Sequence, residues 1–374
     1  MSNKAIEMRY LPVIPRKILD FFYWVALVFF FILLVNNIRT YYFLNDDSYI
    51  SFRYSRNLVD GLGLVWNPGE AVEGYTNFLW VILMAASLWL GIQPEISSTA
   101  LGILSGIFVI GAMWRFGALH RSRMNICTWL PLLVFALSRS FTAWCTSGLE
   151  TMFFTALVLA ANLRFLDESK DPQETYFGSS ILFALATLTR PEGGLFMVIV
   201  GLFVLSDVLR RRKSLLSAIK WGLPFIVIVG AHFLWRHSYY GYWLPNTFYA
   251  KVAGLWLEQA WRYISLFLRT YSFAWFLPFL FVTAIVRRRD RTTQLFLLIL
   301  AFYLAYVVYV GGDRFEFRFL VVIFPYLYWL IADGIGIVAL WGKGKTQIAT
   351  LLLGALFIFG LLYTTYSGSK LNIP

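Results

Sequence analysis

Twelve apolar runs set the rhythm of this chain. They cover roughly 19–35, 76–91, 98–114, 124–138, 150–166, 177–189, 194–209, 216–234, 272–286, 293–310, 319–340 and 347–364, with polar or basic loops between them. A helix crosses the hydrocarbon core of a bilayer in about 20 residues, so at least ten of the runs are long enough, or nearly so, for one pass. The long polar interruption at 36–75 has helical periodicity of its own. Offsets of 3, 7, 10 and 14 put Asp46, Tyr49, Arg53, Arg56 and Asp60 on one stripe, and Ile50, Tyr54 and Leu58 form another, apolar one. This pattern predicts an amphipathic helix over 47–59 that lies along a membrane surface.

Basic residues orient the runs. The strongest clusters are Arg210-Arg211-Arg212-Lys213 and Arg287-Arg288-Arg289, with weaker ones at Arg115/Arg121/Arg123 and Lys343/Lys345. Cytoplasmic loops carry the excess of Lys and Arg. Facing all four clusters inward places 140–149, 190–193, 235–271 and 311–318 outside. Lys4, Arg9, Arg16 and Lys17 hold the N-terminus inside as well. The run Leu19–Val35 is long for a signal peptide, and Asn36-Asn37-Ile38-Arg39 offers no small-residue cleavage site, so it reads as a membrane anchor. Twelve passes conflict with this orientation. Withdrawing the short run 76–91, as a re-entrant or interfacial helix of the outer leaflet, leaves eleven spans with the C-terminus outside. The expected fold class is therefore all-α: one polytopic membrane domain over 1–374. Its first outer loop, 36–97, carries juxtamembrane helices; a later outer loop covers 235–271, and no separate soluble domain follows.

Composition removes the other classes. Of 374 residues 59% are hydrophobic and 14% charged, against about 25% charged in soluble domains. The net charge of +12 comes from clusters between apolar runs, which points to membrane lipids and topology rather than nucleic acid. Cys127 and Cys145 stand near opposite surfaces and make neither a disulfide framework nor a zinc ribbon. His120, His232 and His237 form no HExxH-type metal pattern.

The unusual polar chemistry gathers outside. The first outer loop holds Asn45-Asp46-Asp47-Ser48-Tyr49, Arg53, Arg56, the turn Trp66-Asn67-Pro68-Gly69-Glu70 and Glu73-Gly74-Tyr75. Ser147-Gly148-Leu149-Glu150 puts a carboxylate at the mouth of a span. Thr189-Arg190-Pro191-Glu192 is a charged turn, 235–251 is rich in Tyr and Trp, and Gly311-Gly312-Asp313-Arg314-Phe315-Glu316-Phe317-Arg318 follows. Ionisable groups near membrane depth are costly unless they pair or line a cavity. Five loops supplying them on one side predict a shared, membrane-accessible cavity.

These segments, with Glu73-Gly74-Tyr75-Thr76-Asn77-Phe78-Leu79-Trp80 and Ser147-Gly148-Leu149-Glu150-Thr151, resemble the GT-C class of integral-membrane glycosyltransferases. The likeness is nearest to the cell-wall terminal arabinofuranosyltransferases and their bacterial relatives. It implies transfer of a sugar, a pentose such as arabinofuranose first, from a polyprenyl-phosphate donor to a glycan or lipid acceptor. It places the site on the periplasmic face of a bacterial inner (plasma) membrane and implies inversion at the anomeric carbon. It also puts the catalytic carboxylate just after the first span, where Asp46 and Asp47 stand. A counterpart of the soluble C-terminal domain of the arabinofuranosyltransferases is not expected here.

Such a transfer sets the roles. A carboxylate takes the acceptor proton, Asp46 first and Asp47 close behind. Fixed cations stabilise the departing lipid phosphate, with Arg53, Arg56, Arg190, Lys251, Arg314 and Arg318 as candidates. Glu150, Tyr75, Asn77 and Tyr249 are candidates for positioning substrate. No cofactor is required, though Asp46, Asp47 and Glu150 together suit a divalent cation, Mg or Mn.

Plainer roles stand beside these. Asp46 and Asp47 could cap the helix that follows, and Arg53 and Arg56 could contact only lipid headgroups. Arg190 and Glu192 could be a local ion pair, and Arg314 and Arg318 could pair with Asp313 and Glu316 for structure alone. Among other functions, a lipid-linked-sugar flippase competes, as does a GT-C enzyme that glycosylates lipopolysaccharide or protein. Transporters place polar sites near the midplane on broken helices, whereas here the charges gather at one surface, which favours an enzyme.

Overall fold

A computed structural model describes residues 16–121, 126–171, 176–247 and 256–341. Tyr249, Lys251, the Lys343/Lys345 pair and the run 347–364 lie outside these residues. Among the described residues every regular element is helical. In chain order these are α1 (Arg16–Thr40), α2 (Ser48–Val59), α3 (Phe78–Trp89), α4 (Pro94–His120), α5 (Ile126–Leu137), α6 (Arg139–Trp144), α7 (Thr151–Glu168), α8 (Gly178–Thr189), α9 (Gly193–Leu209) and α10 (Leu215–Tyr240). They continue with α11 (Leu257–Thr270), a 3-10 turn at Phe273–Trp275, α12 (Leu277–Val286), α13 (Arg291–Val310), α14 (Arg318–Val321) and α15 (Phe324–Trp341).

Length separates these helices into two kinds. Among the described residues, α4, α10, α13 and α15 are each long and apolar enough to cross a membrane, and α11 with 273–286 makes a fifth unit bent by 76°. The apolar helices α3, α5, α8 and α9 are shorter. Local chemistry explains the breaks. Ser138 ends α5 and starts α6, its Oγ accepting from the Phe141 amide at 3.3 Å. The Arg190–Pro191 step separates α8 from α9, since a residue before proline is pushed out of helical geometry. At 12 residues, α3 rises about 18 Å, well short of the about 30 Å hydrocarbon core.

The first outer loop folds as a helix pair, α2 packed on α3. Its polar stripe (Asp46, Tyr49, Arg53, Arg56 and Asp60) is exposed. The buried face differs from the apolar stripe expected from sequence. Ser48, Ser51, Phe52, Tyr54 and Ser55 are buried, while Ile50 and Leu58 are only partly so. Small hydroxyls allow close approach: Ser55 Oγ donates to the Val81 carbonyl at 2.8 Å.

Around this pair the longer helices form one core, with α15 at its centre and Phe324 to Ile335 buried without interruption. Asp333 in α15 meets two distant basic clusters: Arg121 Nε donates to it at 2.9 Å, and Arg287 pairs with its other oxygen. Asp207 pairs with Arg291 in the same way. One end of the bundle thus gathers three of the basic clusters, and the other gathers the loops that carry the unusual polar residues.

Candidate active site

The site starts from Asn45. Its backbone N–H donates to Ser147 O at 2.9 Å, and its carbonyl accepts from Ser48, the amide at 3.1 Å and Oγ at 2.6 Å. Asn45 Oδ1 accepts the Asp47 N–H at 2.8 Å. Gly148, with φ of +77°, lets the 147–150 turn come against Ser48, where any Cβ would sit 2.9 Å from the serine side chain. The turn into α2 is therefore closed by Asn45 and Ser48. Asp47 occupies the N-cap position but makes no side-chain capping bond, so capping does not account for its carboxylate.

That carboxylate faces a cavity of about 440 Å³ instead, shared with Trp256, Gln259, Asp313, Arg314, Phe315 and Arg318. Arg314 Nη2 lies 3.4 Å from Asp47 Oδ2, bridging 267 positions of sequence. Arg314 also stacks on Phe315, 4.8 Å from its centroid, and Arg318 Nε donates to Asp313 Oδ2 at 2.6 Å. Glu316, which the sequence offered as a partner for these arginines, turns away. It accepts from Arg139 Nε at 2.7 Å and from Ser140 Oγ at 3.2 Å, and its carbonyl accepts from Trp144 Nε1 at 2.6 Å. Arg139 and Glu316 clamp the 311–318 loop to α6. Asp46 is exposed, has no ion pair among the described residues, and accepts the Asp47 amide at 2.9 Å.

A second cluster lies behind the first. Glu150 accepts from Arg190 Nη1 at 2.9 Å and from Asn77 Nδ2 at 2.8 Å, and Arg190 Nε donates to Glu192 at 2.6 Å. Arg190 is 11% exposed. Its guanidinium serves two carboxylates and fastens α7 to the turn between α8 and α9. The same contacts engage Glu150, the third member of the Asp46–Asp47–Glu150 set suited to a divalent cation. Both Glu150 oxygens are taken, and no group of three or more His, Cys, Asp or Glu side chains converges among the described residues.

Arg53 and Arg56 do not line the Asp47 cavity. Arg53 Nε donates to Trp66 O at 3.0 Å and its guanidinium covers the Trp66 ring at 4.3 Å. It braces the rim of a separate hollow of about 310 Å³ beside Tyr54, Asn67 and Glu70. Arg56 is exposed. Tyr75 is buried, its hydroxyl 3.1 Å from that of Tyr240, and burial raises its pKa. It supports the loop from below.

Sequence reasoning missed the pair Glu73–Arg236. The pair is buried, and the Asn246 amide donates to the Glu73 carbonyl at 3.1 Å. Burial pushes the Glu73 carboxyl up to about 7, against the opposing charge of Arg236. The available signal was an arginine at 236, the end of an otherwise apolar run.

The helices build an all-α, multi-pass membrane protein with the fold of the GT-C class. Two structures of ArnT from Cupriavidus metallidurans superpose on it. The one bound to undecaprenyl phosphate has a TM-score of 0.59 and 17% identity, covering 92% of this chain and 64% of that one. The apo form gives 0.58 and 14%, covering 91% and 75%. At these identities the likeness is one of fold. In sequence the chain resembles two curated proteins named terminal β-(1→2)-arabinofuranosyltransferase. That of Mycobacterium tuberculosis is 28% identical over 247 residues, and that of Corynebacterium glutamicum 29% over 267. Each match takes in 61% of this chain but only 38% and 36% of the relative, so the chain spans little more than a third of their length. No family model matches the chain.

Proposed function

We propose that this protein transfers a sugar, a pentose such as arabinofuranose, from a polyprenyl-phosphate donor to a glycan or lipid acceptor on the periplasmic face of a bacterial plasma membrane. The observation that carries this reading is the meeting of Asp47, Arg314 and Arg318 on one cavity beside the exposed Asp46. The names of the curated relatives support the sugar, and the bound lipid of the GT-C neighbour supports the donor class.

In this mechanism the acceptor hydroxyl gives its proton to Asp46, its oxygen bonds to the anomeric carbon, and the bond from that carbon to the phosphate oxygen breaks. Polyprenyl phosphate leaves with the electron pair, its charge stabilised by Arg314 and Arg318. One displacement inverts the anomeric centre. Asp47 holds Arg314 over the cavity, and Glu150 and Asn77 fix the wall behind it. Tyr249 and Lys251 keep the roles expected of them, substrate positioning and phosphate binding.

The test is transfer from a radiolabelled panel of polyprenyl-phosphate sugars by purified full-length protein in detergent. Turnover of a pentose donor by wild type, with Asp46→Asn folded but slowed about 100-fold or more, is expected. Saturable lipid binding without turnover of any donor overturns the proposal in favour of transport.

A further inference from the structure

Helices α9 and α13 share a second cavity, at the end away from the candidate site. Its volume is about 820 Å³, and it is bounded by Arg210 and Arg212 after α9, Arg289 and Arg291 at the start of α13, and the apolar side chains Leu202 and Leu298. The 20 residues of α13 rise about 30 Å. One end carries Arg291 and the other carries Val310, which lines the Asp47 cavity. The two cavities are thus about one hydrocarbon thickness apart.

The charges of this cavity do not cancel. Asp207 is buried and accepts from Arg291 twice, Nη1 at 2.9 Å and Nη2 at 2.6 Å. That neutralises Arg291. Arg210 and Arg289 are exposed, and neither has an ion-pair partner among the described residues. The backbone is arranged to gather them. At Arg211, φ is +57°, a left-handed conformation that helix ends normally give to glycine. The reversal returns Arg210 and Arg212 to one hollow, and the Arg212 amide donates to Asp207 O at 2.8 Å. An arginine rim attracts a phosphate through charge-assisted hydrogen bonds. Below the rim the wall is apolar, and Leu202 is 44% exposed. A soluble anion would leave that wall in contact with solvent, whereas a lipid covers rim and wall together. Basic pockets between transmembrane helices suit anionic headgroups.

We propose that this cavity holds one anionic phospholipid, its phosphodiester on Arg210 and Arg289 and one acyl chain along the groove between Leu202 and Leu298. The site is independent of the sugar-transfer reading. Native mass spectrometry of the full-length protein with phosphatidylglycerol or phosphatidylcholine tests it. Wild type should retain one phosphatidylglycerol with a preference of about tenfold or more, two basic contacts being worth about 1 kcal/mol each. Arg210→Ala combined with Arg289→Ala should bring the two lipids level. Gln294→Trp, which fills the hollow without changing charge, should do the same. Arg262→Ala, on the exposed face of α11, should leave the preference intact. An unchanged preference in the double variant overturns the proposal, as does an equal loss with Arg262→Ala. So does displacement of the lipid by inorganic phosphate at equal concentration.

Discussion

Glu73 Oε2 lies 3.0 Å from Arg236 Nε, and the two side chains are 2% and 6% exposed. The pair ties the loop between α2 and α3 to the end of α10, 163 positions away. Tyr54, Tyr75 and Tyr240 surround the carboxyl, and His232 stands one helical turn from Arg236 on α10. The Tyr54 hydroxyl donates to Val72 O and accepts from the Gly74 amide, both at 2.8 Å, which holds the loop on either side of Glu73.

A pH dependence follows with a definite sign. Glu73 has its pKa raised from 4.5 to about 7 in the folded protein. Between these values the open loop releases the proton and the closed loop keeps it, so closure weakens as pH rises. The contribution is whole below about 4.5 and gone above about 7. Hydrogen exchange of 60–76 should therefore be slower at pH 5 than at pH 8, after correction for intrinsic rates, and Glu73→Gln should flatten the difference. An equal pH response in the Gln variant would assign the effect to another group.

Arg190 should behave as a structural tie. Removing one partner of a buried ion pair costs about 3–5 kcal/mol, and Arg190→Ala leaves Glu150 and Glu192 both unpaired. The variant should lose several degrees or more of thermal stability in detergent, with or without donor present. A stable Arg190→Ala protein with weakened donor affinity would return this residue to the phosphate site.

The legible parts of the sequence were those in which a single element carries the signal. Apolar runs gave most helix positions, and the 3.6-residue period gave the exposed stripe of α2 from Asp46 to Asp60. Pairings across the bundle left no local trace. Arg190 beside Glu192 looks the same in sequence whether it faces a phosphate or Glu150, which stands 40 positions away. Glu316 sits between Arg314 and Arg318 in sequence, yet its partner is Arg139. The serine face of α2 was hidden for a related reason. Hydroxyls that donate to backbone carbonyls can be buried, so polarity alone misplaces them.

Gly334 makes a test of packing between α12 and α15. A Cβ there would collide with the carbonyl of Phe279, a backbone atom that cannot swing aside. Gly334→Ala should destabilise by about 1–3 kcal/mol, the range for overpacking a filled core. Gly222→Ala, on α10, meets open space and should be neutral or slightly stabilising, since alanine is the better helix former. Comparing thermal unfolding of the two variants checks both, and equal melting temperatures would mean that the two helices separate at little cost.

Asp47 and Arg314 should show the opposite behaviour to Arg190. Their side chains are 33% and 74% exposed, and an exposed pair is worth about 0–1 kcal/mol. Arg314→Ala and Asp47→Ala should therefore melt within a degree or two of wild type. Under the proposed transfer their effect belongs to the donor. A charge-assisted bond to phosphate is worth about 1.5–3 kcal/mol, so Arg314→Ala should raise the donor KM about tenfold or more. If Asp47 acts by holding Arg314, Asp47→Ala should add little to a protein that already lacks the arginine. A double-mutant cycle on donor KM measures this directly. Additive losses would give Asp47 a role of its own at the substrate, and an unchanged KM in both single variants would remove the pair from the donor site.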